Sequence, residues 1–495
     1  MDSWGRLAHL STNQIKALQD KKLREFVSRY LYPFSPHYKK SFDQNKVHPR
    51  DIRGVEDLQR LAFTSKLDFL DPSPGSDRFR DFVLHPDETA IKRYWPLSKK
   101  LSLALGSIQG GPASVKQKLG REFRPVFMTF TTGTTNHPVP FLYSSYDIQN
   151  LHISGSRMLE LFRIGESERI LNIFPYAPHL AFWQVVFGAL SSGVLALSTG
   201  GGKVMGTEGN IAAILKMKPS VILGVPSYIY HVVREAREKR VDFRFVKKIV
   251  LGAARITKAF KIKLAEDLAS LGASDVSILG TYGFTEARAA WAECPGESLE
   301  VSTGYHLYPD KEIFEVIDPE TGKVKGEGED GELVYTALDA RASVVFRYRT
   351  GDFVRGGITR EPCPSCGRTT PRLSSDITRL SDIKDLHLSK IKGTLVNLSH
   401  FDAIFAEIVS VEEWQVEIRK RNDDQFDVDE MVVYACAKDG ADKGRMEEEI
   451  RKKFQLSTEV TPNAIHVIPR PEIIKRLELE TANKEKRIVD RRPKE

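Results

Sequence analysis

Only four cysteines occur among 495 residues, too few for the disulfide framework with which small secreted domains compensate for a thin core. No apolar run approaches the roughly 18 residues that a membrane-spanning helix needs. The opening MDSWGRLAHLSTNQ also lacks the apolar centre of a secretory signal. The pattern G-x-x-x-x-G-K-[ST] is missing, which excludes the phosphate loop of the P-loop NTPases. Internal repeats and low-complexity tracts are absent as well. What remains is a soluble globular chain, expected in the cytoplasm and without a membrane as partner.

The residues present have the balance of such a chain, with 41% hydrophobic and 28% charged. Length suggests about two to four domains. A formal charge of +7 suits polyanionic ligands, yet spread over the whole length it decides little. It concentrates once, where Lys92, Arg93, Lys99, Lys100, Lys116, Lys118, Arg121 and Arg124 face the single acid Glu122. This stretch lacks the aromatic interleaving of a single-strand binder, so it reads as a solvated face and no nucleic acid is expected.

Along the chain, IKALQDKKLREFVSRYL has helical spacing, and DPSPGSD at 71–77 is a breaker-rich loop. From Phe127 onward, short apolar runs (RILNIFPY, SGVLALST, PSVILGVP, KKIVLGAA, DVSILGTYG) alternate with amphipathic stretches such as TKAFKIKLAEDLASL. That alternation predicts an α/β fold in which helices cover a β-sheet. In open α/β sheets, ligands gather at the carboxyl ends of strands. Beyond about residue 300, KEIFEVIDPETGKV and DGELVYTAL read as hairpin strands with polar turns. The tail reads as a separate, small α+β domain of about 115 residues.

One string raises a chemical question. FMTFTTGTTNHPVPF at 127–141 runs from a strand-like segment into Gly133 flanked by four threonines. Glycine lets backbone amides approach a ligand closely, and the hydroxyls beside it can add hydrogen bonds to phosphate oxygens. A plain polar loop uses the same residues.

Three further strings accompany it in order: GTYGFTE at 280–286, YRTGD at 348–352 and TANKEKRIVD at 481–490. Together with FSPHYKKSF, KPSVILGVPSYIYHV, LGAARIT and IDPETGKV, they resemble the adenylate-forming superfamily, and within it the phenylacetate-CoA ligase family. The resemblance runs from about Leu23 to Asp490. It implies a large AMP-binding domain, residues 1–378, with a helical start and a basic insert around 72–125, and a mobile α+β domain, residues 379–495. It also implies that ATP converts a small-molecule carboxylic acid to an acyl adenylate, from which a thiol displaces AMP. These are tasks of positioning and charge stabilisation.

The resemblance carries residue roles. Thr131, Thr132, Gly133, Thr134 and Thr135 would cover the β- and γ-phosphates. The family pattern continues with Gly-Lys-Pro where this chain has Asn136-His137-Pro138, so a fixed positive charge is missing there. Gly252, Ala253 and Ala254 would run along the adenine. Tyr282 and Gly283 would sit beside it, Thr285 would bond the α-phosphate, and Glu286 would hold Mg²⁺, a cation that takes oxygen ligands. Asp352 would accept both ribose hydroxyls. Arg347 and Arg349 either reach phosphate or serve as ion-pair partners. Arg379 would contact ribose or phosphate, Asp382 would mark the swivel, and Lys484 would supply a catalytic positive charge, with Lys475 and Lys486 as neighbours.

Phe174, Pro175, Tyr176, His179, Phe182, Ser227 and Tyr228 would line the acyl pocket, although aromatics at such spacing also make ordinary core. CPSCG places Cys363 and Cys366 at a spacing that suits tetrahedral Zn²⁺. Some members of the family join such a pair to an upstream cysteine and histidine, here Cys294 and His306. Reduced thiols or a redox pair remain open. The implied acceptor is CoA, with an amine or a carrier-protein thiol as the alternative. A third reading is a nucleotide-binding protein that has lost catalysis, and self-association as a homodimer stays open.

Overall fold

The computed structural model describes residues 3–69, 78–131, 139–299, 301–380, 388–391, 394–398, 400–420, 429–458, 460–479 and 485–492. The fold is α/β, a large domain followed by a small one. At its centre lies a nine-stranded sheet. Five strands are parallel: β3 (Arg169–Asn172), β4 (Leu195–Ser198), β5 (Val221–Gly224), β6 (Lys248–Leu251) and β7 (Ser277–Phe284), in the order β4-β3-β5-β6-β7. Helices Leu180–Ser191, Gly202–Met217, Pro226–Glu238 and Lys258–Ser270 form the crossovers. Strands covered by helices on both faces read as unbroken apolar runs, which is why VILG and KIVL declare themselves in the sequence.

Past β7 the sheet turns antiparallel through β8 (Ala289–Ala292) and β9 (Tyr305–His306). Ahead of it, β1 (Pro125–Phe130) and β2 (Pro140–Ser144) form a hairpin whose connecting segment carries the threonine-rich string. A four-stranded antiparallel sheet follows, ordered β10 (Glu312–Ile317), β11 (Gly331–Ala337), β12 (Tyr348–Val354), β15 (Ile377–Arg379), with β13 (Ile358–Thr359) and β14 (Arg372–Leu373) joining the large sheet. The first two strands are buried along their whole length. Their glutamates are therefore inside, and the interior supplies partners for them. Glu315 lies 3.4 Å from Arg347, Glu332 accepts from Arg349 Nε at 2.9 Å, and Glu312 accepts from Trp291 Nε1 at 2.9 Å.

Burial pushes the Glu312 carboxyl up to about 8. A carboxyl raised by folding binds more protons in the native than in the unfolded state, so its contribution to stability falls as pH rises from the ordinary carboxylate range through about 8. Glutamine mimics the protonated form at every pH. Melting curves are expected to show Glu312→Gln gaining on the wild type between pH 5 and pH 8. A constant difference across that window would show that the group does not titrate there.

The small domain has its own apolar cluster, from Leu398 and Phe401 to Phe454 and Ile465. Its sheet pairs β16 (Val411–Lys420) with β17 (Asp429–Ala437) antiparallel, flanked in parallel by β18 (Ala464–Val467) and β19 (Ile488–Asp490). Helix Lys443–Thr458 covers it through Met446, Ile450 and Phe454.

Candidate nucleotide and metal sites

The carboxyl end of β7 meets β12, which pairs with β15, and this brings together residues far apart in sequence. The Tyr282 hydroxyl on β7 donates to Asp352 Oδ2 on β12 at 2.8 Å. Arg379 on β15 pairs in register with Asp352, and its guanidinium lies 3.0 Å from Oδ1. Tyr348, four residues before Asp352, donates its hydroxyl to Glu286 Oε1 at 2.9 Å. The Tyr282 ring is seated by stacking on Trp291 and Tyr305, with centroids 5.8 and 6.0 Å away.

Electrostatics at this cluster are those of a site short of positive charge. Desolvation raises the Glu286 carboxyl above the usual range, and Arg379 opposes that only in part. Burial, followed by the Asp352 charge, holds the Tyr282 phenol protonated. Two carboxylates share one arginine whose side chain is 56% exposed. Such a cluster accepts hydroxyl donors at Asp352 and gains from a cation at Glu286.

The turn after β6 lies beside it. A Cβ on Gly252 would meet the Thr281 hydroxyl, which donates to Leu251 O at 3.0 Å. Only glycine fits that approach. Ala253 then takes φ +66°, a left-handed conformation that strains a residue bearing a Cβ and recurs at functional sites. Ala254 is exposed next to it, Gly283 lies within β7, and Thr285 is buried at its end.

The threonine-rich segment is closed at its base, where the Thr131 amide donates to Val139 O at 3.1 Å and the Val139 amide donates to Thr131 Oγ1 at 3.1 Å. Thr132, Gly133, Thr134, Thr135, Asn136, His137 and Pro138 lie outside the described residues, as do Asp382 and Lys484. Arg347 and Arg349 are the ion-pair partners of Glu315 and Glu332.

Of the residues assigned to the acyl pocket, Tyr176 is exposed and packs its ring against Phe182 at 5.2 Å. Trp183 completes this aromatic group, 5.3 Å from Phe182; the string AFWQ displayed it, but sequence reasoning passed over it. His179 has a seat of its own. Its Nδ1 lies 3.0 Å from Phe130 O, and the Phe130 amide donates to Pro178 O, so the imidazole ties the 178–179 turn to the end of β1. Tyr228 is buried, and its hydroxyl accepts from Asn210 Nδ2 at 3.0 Å.

A second cluster joins His306 of β9 to Cys294, just past β8, and to the 363–366 segment. The ligand atoms of Cys294, His306, Cys363 and Cys366 all fall within 4.8 Å of one another. Cys294 Sγ is 3.6 Å from Cys363 Sγ, and Cys366 Sγ is 3.6 Å from His306 Nε2. A disulfide would need about 2.05 Å. A tetrahedron with Zn–S of about 2.3 Å puts sulfurs about 3.8 Å apart. His306 Nδ1 faces the Thr370 hydroxyl at 3.3 Å, which leaves Nε2 toward the thiols, as in metal-ligating histidines.

Residues 63–337 match the family described as AMP-binding enzyme. The phenylacetate-coenzyme A ligase of Aromatoleum evansii is 27% identical over 503 residues, covering 98% of this chain and 96% of that protein. The phenylacetate-coenzyme A ligase of Thermus thermophilus is 27% identical over 417 residues, covering 84% and 80%. Among solved structures, 2-hydroxyisobutyryl-CoA ligase in the postadenylation state with R3-HIB-AMP has the same fold, with a TM-score of 0.72 over 99% of this chain and 92% of that one at 18% identity. Since the AMP-binding enzyme match over residues 63–337 spans more than half of the sequence, the chain belongs to the AMP-binding enzymes, and among them it is similar to the phenylacetate-CoA ligases.

Proposed function

We propose that this chain activates a small-molecule carboxylic acid with ATP and transfers the acyl group to coenzyme A. The observation that carries the reading is the convergence of Tyr282, Glu286, Asp352 and Arg379, together with Tyr348, at the end of β7. In the first step a carboxylate oxygen attacks the α-phosphorus, the bond to the bridging oxygen breaks, and pyrophosphate leaves. In the second the CoA sulfur, having lost its proton, attacks the acyl carbon, and AMP departs with the oxygen.

Each group has a task in this reading. Asp352 accepts the ribose hydroxyls, Tyr282 and the Gly252–Ala254 turn flank the adenine, and Thr285 bonds the α-phosphate. Glu286 is a half-buried carboxylate raised by desolvation, and such a donor fits Mg²⁺, which would neutralise phosphate charge there. The loop 131–135 covers the terminal phosphates. Lys484 supplies positive charge from the small domain, which we place at 379–495. The aromatic group around Tyr176, Phe182 and Trp183 suits an aryl or other apolar acid, and Tyr228 is a further candidate to line its pocket.

Pyrophosphate release with ATP, Mg²⁺ and a panel of carboxylic acids, with and without CoA, tests the proposal. Acid-dependent release accompanied by thioester formation is the expected result. Release without CoA consumption, captured by hydroxylamine or an amine, would move the acceptor to an amine or a carrier protein. Silence across a wide panel would sink catalysis altogether.

Three thiols and one imidazole at these separations fit a structural Zn²⁺. Purified protein should carry close to one equivalent of the metal. Cys363→Ser/Cys366→Ser should lose it and melt several degrees lower; full metal content in that variant would refute the site.

A further inference from the structure

The basic insert contains a helix that is amphipathic in the wrong direction. Leu97–Phe123 is one helical stretch broken at Gly111, where φ is +75°. Its two halves fold against each other, with Ser114 Oγ donating to Gly106 O at 3.2 Å. In the first half, Lys99 turns inward. Its ammonium lies 4.6 Å from the Tyr30 ring centroid and 4.8 Å from that of Trp95, and Leu103 packs on the core beside it.

At 100° per residue, the opposite face holds Leu97, Leu101, Leu105 and Ile108. These side chains are 69%, 53%, 57% and 81% exposed. A soluble helix normally presents its apolar stripe to the core and its charges to water. Here one turn after another places a large aliphatic group in water, along a ridge about 17 Å long.

The exposed charges of this hairpin have one sign. Lys100, Lys116, Lys118, Arg121 and Arg124 belong to the hairpin, and the last four are exposed. The acid within it, Glu122, is held by Arg341 at 2.8 Å. We infer that this ridge docks on an anionic lipid surface. Three considerations select that occupant. A second copy would bring five like charges face to face. The ridge lacks the Trp, Tyr and Arg anchors that carry most protein interfaces, in whose hot spots leucine is under-represented. An exposed line of aliphatics on a hairpin whose exposed charges are basic is what the boundary between headgroups and acyl chains takes up. No helix among the described residues is long and apolar enough to span a bilayer, and surface docking needs none.

Co-sedimentation with vesicles of phosphatidylcholine alone, and with about one third phosphatidylglycerol, tests this. The full chain should bind the anionic vesicles at least tenfold more tightly than the neutral ones, and raised salt should release it. Leu101→Asp/Ile108→Asp and, separately, Lys116→Glu/Lys118→Glu should each lower that binding about tenfold, while melting temperature and pyrophosphate release in solution stay at wild-type values. Three results would overturn the inference: wild-type protein left in the supernatant with both vesicles, a Leu101→Asp/Ile108→Asp variant that binds as well as the wild type, or a change of mass in that variant by light scattering without any wild-type vesicle binding.

Discussion

Replacing Asp352 with alanine is expected to lower kcat/KM for ATP by about a hundredfold to a thousandfold. A hydrogen bond to a charged group contributes roughly 1.5–3 kcal/mol. Two ribose hydroxyls on one carboxylate therefore amount to roughly 3–6 kcal/mol, and at about 1.4 kcal/mol per factor of ten the lower half of that range corresponds to this loss. The variant also removes the acceptor of the Tyr282 hydroxyl and the partner of Arg379. Tyr282 then loses what fixes its phenol, though not the stacking of Trp291 and Tyr305 that seats its ring. Asp352→Asn separates the two causes. It keeps an acceptor for one hydroxyl but drops the charge that faces Arg379, so an intermediate loss is expected. An alanine variant with an unchanged KM for ATP would place the ribose elsewhere.

The second large effect belongs to Lys484. Lys484→Ala should reduce acid-dependent pyrophosphate release about a thousandfold while a preformed acyl adenylate is still converted to thioester by CoA. Removing one donor aimed at developing charge typically costs a factor of roughly 10² to 10³. The upper end is expected here because Asn136-His137 stands where the family's loop has Gly-Lys, and a histidine carries only partial charge at neutral pH. Neighbouring cations are committed elsewhere. Lys486 Nζ lies 2.7 Å from Glu478, and Arg487 is shared between Glu413 and Glu485 at 2.9 Å and 2.8 Å. Lys486→Ala should therefore spare the first half-reaction. If Lys486→Ala abolished it and Lys484→Ala did not, the assignment would pass from one lysine to the other.

The parallel strands were legible because burial on both faces leaves an apolar run with glycine or proline at its end, as in VILGVP. The antiparallel strands β10 and β11 were legible as strands, yet their complete burial was not. Alternating glutamates carry no sign of burial in the sequence, and only the tertiary arrangement of Trp291, Arg347 and Arg349 shows them inside. At the candidate site, Tyr282, Glu286 and Asp352 stood out through ordered motifs rather than through any local physical signal. Their pairing with Tyr348 and Arg379 depends on strand register, which a one-dimensional pattern does not carry. His179 shows the same limit. Imidazole chemistry allows a substrate contact and a structural one alike, and the fold places its Nδ1 against the Phe130 carbonyl. The basic stretch 92–124 was legible as a charged segment, whereas the helical phase that turns Leu101 and Ile108 outward emerges only once Lys99 is seen to face Tyr30.

The most direct measurement of the central claim is a crystal structure with ATP bound. The account predicts ribose hydroxyls within hydrogen-bonding reach of Asp352, the adenine beside Tyr282 and the Gly252–Ala254 turn, and the phosphates between Glu286 and the loop that starts at Thr131. A nucleotide bound elsewhere on the chain, with Asp352 still held by Tyr282 and Arg379, would contradict it.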